Sequence, residues 1–137
     1  SKLKWQNTLM ALKSVYDSLP APEKKDCLIW GKHYSQAGGV NLYRQQYGLP
    51  KAFSYHGSFY LWAADSGELP KTVIAFSNSE AGSDFFKSFL KTVISVSRAY
   101  NAYADFDKDL WQTIYICKGT RQNFAALKVE FKNRVFE

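Results

Sequence analysis

Two short apolar runs constrain this chain more than any other feature. Cys27-Leu28-Ile29-Trp30 and Thr72-Val73-Ile74-Ala75-Phe76 carry almost nothing polar, and turn-forming or charged residues bound each of them. Runs of this length are too short for an ordinary helix. They suit strands buried on both faces, the kind found in parallel sheets covered by helices. A third run, Trp111 to Cys117, alternates in polarity and is rich in β-branched residues, so it also reads as a strand. Ala52 to Ser54 and Phe59 to Ala63 read as extended.

Helical patterns fall between these runs. From Leu3 to Leu19, Leu9, Leu12, Tyr16 and Leu19 recur at three- and four-residue spacings, with Lys4, Lys13 and Asp17 on other faces. Pro20 and Pro22 end that helix, and Glu23 to Asp26 reads as a charged turn. Ser35 fits an N-cap for a helix over Gln36 to Tyr47, closed by Gly48 as C-cap with Pro50 after it. Gly38 and Gly39 each cost that helix about 1 kcal/mol relative to alanine. Close approach of the helix to the sheet, or of a ligand to the helix start, accounts for them. Asp84 to Leu90 reads as a short helix with Phe85, Phe86, Phe89 and Leu90 inward. Lys91 to Tyr103 is compatible with strand or turn. Asn123 to Phe131 reads as a last helix, with Phe124, Leu127 and Phe131 on one face. The element order predicts an α/β fold: a three-layer α/β/α sandwich with a mixed, mainly parallel, Rossmann-like sheet. A length of 137 residues fits a single domain.

With 46% apolar and 17% aromatic residues the chain is not of disordered composition. Its net charge of +6 is spread along the whole length. Dispersed positive charge fits plain solubility, or an anionic surface such as phospholipid or a phosphorylated lipid carrier. No arginine-rich run, zinc pattern or RNP motif supports nucleic acid as a partner. No apolar run approaches the roughly 18 residues of a membrane helix, and no signal peptide is visible. The chain opens inside a helical pattern, so it is expected to be the soluble part of a longer protein. Cys27 and Cys117 form no Cys-x-x-Cys pattern and read as buried thiols. A bridge between them requires neighbouring strands of suitable geometry.

Chemistry-bearing residues concentrate from His33 to Trp62. This stretch holds both histidines, five of the nine tyrosines and four of the eight glycines. A strand end, a loop and a helix N-terminus, as around Tyr34, Gln36 and Gly38, is where α/β folds bind anions. There is no Gly-x-Gly-x-x-Gly or Walker pattern, so a nucleotide is not indicated. Ser54, His56, Ser58, Tyr60 and Trp62 place rings beside hydroxyl and imidazole groups, which suits a sugar or another polar ring ligand. His56 with Ser54, Ser58, Tyr34 and Gln36 would equally serve as a hydrogen-bonded cluster holding a loop onto the sheet. Ser54 and His56 share a strand face, yet no Gly-x-Ser-x-Gly elbow accompanies them. The histidines lack companions for a metal site, and Asp105-Phe106-Asp107 fits a solvated turn better than a metal-holding Asp-x-Asp.

The stretch resembles the soluble C-terminal domain of bacterial multi-spanning glycosyltransferases. That family is related to dolichyl-phosphate-mannose–protein mannosyltransferases and to lipid A aminoarabinose transferases. The resemblance rests on Gln36-Ala37-Gly38, Gly48-Leu49-Pro50, and then Ser54, His56, Ser58, Phe59-Tyr60 and Leu61-Trp62. It departs from the family pattern at Tyr55, Gly57 and Phe59, and after Trp62, where the family often continues Gly-Pro. Cys117-Lys118 and Arg121 resemble the family's closing strand and basic loop, and the likeness runs over about residues 26 to 132. It implies a domain facing the periplasm, attached to a membrane-embedded part of the same polypeptide in the bacterial inner membrane. The parent would move a sugar from a polyprenyl-phosphate carrier to a lipid or protein acceptor. Catalysis would reside in the membrane part, leaving no catalytic residue, metal or cofactor in this chain. Tyr34, Gln36, Gly38, Ser54, His56, Ser58, Tyr60 and Trp62 would then hold acceptor or donor or order the loop, and Lys118 and Arg121 would meet phosphate. The alternative is a freestanding carbohydrate- or small-ligand-binding α/β module.

Overall fold

A computed structural model describes residues 2–54, 70–78, 82–104, 106 and 110–120. Helix α1 (Lys2–Asp17) is followed by one turn of helix, α2 (Ala21–Lys25), and strand β1 (Cys27–Gly31). Helix α3 (Tyr34–Tyr43) runs into a 3-10 turn at Arg44–Tyr47 and then strand β2 (Ala52–Ser54). Strand β3 (Thr72–Ser77), helix α4 (Gly82–Lys87), strand β4 (Leu90–Tyr100) and strand β5 (Trp111–Thr120) complete the described elements.

The strands form one mixed sheet in the order β2-β1-β3-β5-β4. β1 pairs in parallel with β2 and β3, whereas β5 runs antiparallel to β3 and to β4. The all-apolar runs occupy the middle, as two-sided burial requires: every residue of β1 and β3 is buried. On one face Leu9, Leu12 and Val15 of α1 and Ala37 and Val40 of α3 pack on Ile29, Ile74, Phe76 and Ile114. On the other, Phe86 and Phe89 pack on Trp30, Ala75 and Tyr115. Trp30 lies 5.3 Å from the ring of Phe53 and meets the edge of Phe86 at 5.2 Å, spacings at which aromatic rings attract. The open edge of β2 is closed by a side chain: Asn41 of α3 donates to the Ala52 carbonyl and accepts from the Ala52 N–H, both at 2.8 Å.

Several local expectations are corrected. Helix α3 begins two residues earlier than its sequence pattern suggests, and Ser35 lies in its first turn rather than capping it. The N-cap is His33, whose N–H donates to the Gln36 side-chain oxygen at 2.9 Å. Pro20 does end α1, but Pro22 then sits in the first turn of α2, where a missing N–H costs nothing. Lys91 to Tyr103 is strand to Tyr100, with a one-residue register slip between Ser95 and Ser97 that leaves Val96 as the extra residue. Lys118 to Thr120 extend β5 rather than form a loop. Gly48 caps the 3-10 turn at φ 61°, as its position after the helix requires. Cys27 and Cys117 are free thiols on opposite sheet faces, in strands separated by β3. Among the described residues, no helix is long and apolar enough to cross a membrane. The extended stretch expected at 59–63 and the helix expected at 123–131 lie outside the described residues.

Candidate functional site

The chain leaves β1 and β3, adjacent and parallel, toward opposite faces of the sheet. α3 follows β1 and packs among Ile29 and Ile74, whereas α4 follows β3 and packs beside Trp30 and Ala75. The carboxyl ends of two such strands form a topological switch point, where open α/β sheets bind ligands. Gly31, the last residue of β1, lets α3 come close there: a Cβ on it would stand 2.8 Å from the Ala37 nitrogen.

A cavity of about 560 Å³ opens at this place, within the roughly 300–1,000 Å³ of small-molecule sites. Helix α1 contributes Lys4, Trp5 and Thr8 to its lining. The start of α3 contributes His33, Ser35 and Gln36. Asn78 follows β3, Asn101 follows β4, and Gln112 stands at the start of β5; Phe106 completes the described lining. The site thus combines two aromatic rings with hydroxyls, amides, an imidazole and one ammonium group.

Backbone groups fix the orientation of its amides. Because Gln36 Oε1 accepts from the His33 N–H, its Nε2 must donate, and it does so to Gln112 Oε1 at 3.0 Å. Asn101 Oδ1 accepts from the Tyr103 N–H at 3.0 Å. Gln36, Asn101 and Gln112 are all buried, so these bonds are made out of bulk water, where a missing partner would be costly.

The sequence-derived candidates scatter. Gln36 lines the cavity. Tyr34 opens α3 at the same end of the sheet. Ser54 is fully buried at the matching end of β2, paired with Gly31. Gly38 lies on the exposed side of α3, where a Cβ would meet nothing within 4 Å. A Cβ on Gly39, by contrast, would overlap the Trp5 indole; the close approach is therefore to α1, rather than to the sheet or a ligand. Lys118 forms an ion pair with Glu23. It is six residues along β5 from Gln112, about 20 Å away at the opposite end of the sheet. His56, Ser58, Tyr60, Trp62 and Arg121 lie outside the described residues, as do Asp105 and Asp107.

The reading by sequence missed Trp5, Thr8, Asn78, Asn101 and Gln112 as lining. One signal was present: Gln112 is a glutamine at an inward position of an alternating strand. Among the described residues no group of three His, Cys, Asp or Glu side chains could hold a metal ion. Compared with known proteins, the chain matches no family model, no curated protein and no solved structure.

Proposed function

We propose that this chain is a non-catalytic α/β domain that holds a sugar in the crevice beyond β1 and β3. The observation that carries this reading is the lining of the switch-point cavity, where Trp5 and Phe106 stand beside amides and hydroxyls. Aromatic faces stack on the apolar faces of pyranose rings, while oriented amides fix their oxygens. At the finer level we read the fold as a three-layer, Rossmann-like sandwich, supported by apolar packing on both faces of the sheet.

The wider setting we propose is the periplasmic C-terminal domain of an inner-membrane glycosyltransferase using a polyprenyl-phosphate sugar. The crevice would position acceptor or donor for a membrane-embedded active site in the same polypeptide. Support comes from the motif resemblance and from Gln36, a residue of that motif, lining the crevice. The coding sequence upstream of Ser1 tests the setting. Repeated apolar segments of about 20 residues are expected; their absence would leave a freestanding binding module. Sugar binding itself is tested by titrating the chain with methyl α-mannopyranoside and methyl arabinopyranoside under NMR observation. The Trp5 indole and the Gln36 and Gln112 side-chain amides should shift, and Lys118 should not. Shifts absent from the crevice at tens of millimolar sugar would overturn the reading.

A further inference from the structure

We infer that Gly39 is a positioning residue for the crevice: its missing side chain seats the Trp5 indole and so fixes the aromatic wall on which the sugar stacks, an assignment that rests on the sugar-binding reading and deepens it.

Helix α1 meets α3 at Gly39, and the contact leaves no room for a side chain. A Cβ on Gly39 would stand 2.2 Å from both Cε2 and Cζ2 of Trp5 and 2.6 Å from Cη2. Carbons in ordinary contact stay about 3.5–4.0 Å apart. Two bonded ring atoms at equal distance, with the next only slightly farther, put that Cβ over the face of the six-membered ring. A point beside the ring's edge would lie much farther from Cη2. One face of the indole therefore rests on bare helix backbone. Gly39 is buried, whereas Trp5 is only half-buried and lines the cavity. The ring meets the crevice with what the seat leaves over, its opposite face and its rim.

The seat belongs to one position of α3. A Cβ on Gly38 would meet nothing within 4 Å, so the helix has room for a side chain one residue earlier. Gln36 precedes Gly39 by three residues and shares its side of α3; Thr8 follows Trp5 by three and shares its side of α1. Gln36, Trp5 and Thr8 all line the cavity. The ring is thus held on the side of α3 that carries the Gln36 amide, which the His33 N–H and Gln112 orient.

A methyl group at position 39 can be accommodated in three ways, and each alters the wall. The indole turns into the cavity and fills it, turns out to solvent and leaves it, or α1 backs away and carries Trp5 and Thr8 with it. Helix propensity works in the opposite direction, because alanine is the better helix former. A loss of sugar affinity in a folded Gly39→Ala chain therefore reports the displaced ring.

Titration of the intact chain with methyl α-mannopyranoside under NMR observation tests the seat. Gly39→Ala should weaken binding about threefold to tenfold, the scale of one aromatic contact, and should move the Trp5 indole N–H signal before any sugar is added. Trp5→Phe supplies the decisive background, since a phenyl ring is shorter and lacks the outer atoms that the methyl would strike. In that background Gly39→Ala should change affinity by less than about twofold, because the residue acts through the indole. Equal affinity of the unaltered chain and folded Gly39→Ala would overturn the inference and leave the sugar reading intact. The same loss with and without Trp5→Phe would overturn it as well. Should Gly39→Ala fail to fold, the unaltered chain with sugar bound decides: nuclear Overhauser contacts between the Gly39 Hα protons and the outer ring protons of Trp5 are expected, and their absence would overturn the seat. No binding of the glycoside by the unaltered chain would remove the sugar reading and this inference together.

Discussion

β3 and β4 are both rich in β-branched residues, yet they live in different surroundings. All six residues of β3 are buried. In β4 only Leu90 and Ala99 are, and Ile94 is 56% exposed. The difference is positional. β3 has a strand on each side and apolar packing on both faces; β4 is an edge strand with a single partner among the described residues. Such edges are blunted by charge and by bulges, and β4 carries Lys91, Arg98 and the extra Val96. The lesson is that β-branched content marks a strand, whereas continuity of the apolar run marks its place in the sheet.

The largest test of that comparison removes an apolar side chain from each half. Phe76→Ala should cost about 3–5 kcal/mol, since the residue is fully buried. Ile94→Ala should stay within about 0.5 kcal/mol. Urea unfolding of both variants measures the contrast, and similar losses would break it.

A second test sharpens the comparison by asking whether face matters more than strand. Cys27 belongs to β1 and Cys117 to β5, yet burial pushes both thiols up to about 12 from an ordinary 9.0. Unfolded thiols release their protons from about 9 upward, while the folded ones hold them until about 12. The stability that these groups contribute is therefore complete below pH 9 and is lost as pH rises toward 12. The urea midpoint should fall between pH 9 and pH 10.5, and should fall less in Cys27→Ala and in Cys117→Ala, each compared with itself at pH 8. An equal drop in all three proteins would assign the loss to other groups.

The smallest effect is expected at the exposed edge. Arg98 lies 4.3 Å over the Trp111 ring, and the Tyr100 ring packs against it at a tilt, 5.1 Å away. Arg98→Ala should cost about 0.5–1 kcal/mol, the scale of an exposed cation–π contact. A larger loss by thermal unfolding would show that the edge is built more tightly than its exposure suggests.

What could be read in the sequence follows the same division. β1 and β3 are visible because nothing but a buried strand explains their continuous apolar runs. Most of β5 is visible because it alternates. β4 is ambiguous because Lys91, Ser95, Ser97 and Arg98 interrupt the apolar residues, and the bulge breaks the two-residue period. The crevice was legible only at Gln36, beside the loop after β1. Trp5 and Thr8 look like ordinary positions of an amphipathic helix, and Asn78, Asn101 and Gln112 lie far apart in sequence. Only the sheet order brings them to one end of the molecule.

The extra residue in β4 sets the phase of the strand beyond it. Ahead of Val96, Val93 stands opposite Cys117 on the α4 side; past it, Ala99 stands opposite Gln112 on the α1 side. Two odd-numbered residues of one strand thus point to opposite faces, which an unbroken two-residue period forbids. Were the ladder to run straight through Val96, Arg98 would fall opposite Gln112 in place of Ala99, and a guanidinium would stand beside a residue that lines the crevice. One irregular residue near the middle of an edge strand thereby keeps a small, uncharged neighbour beside Gln112.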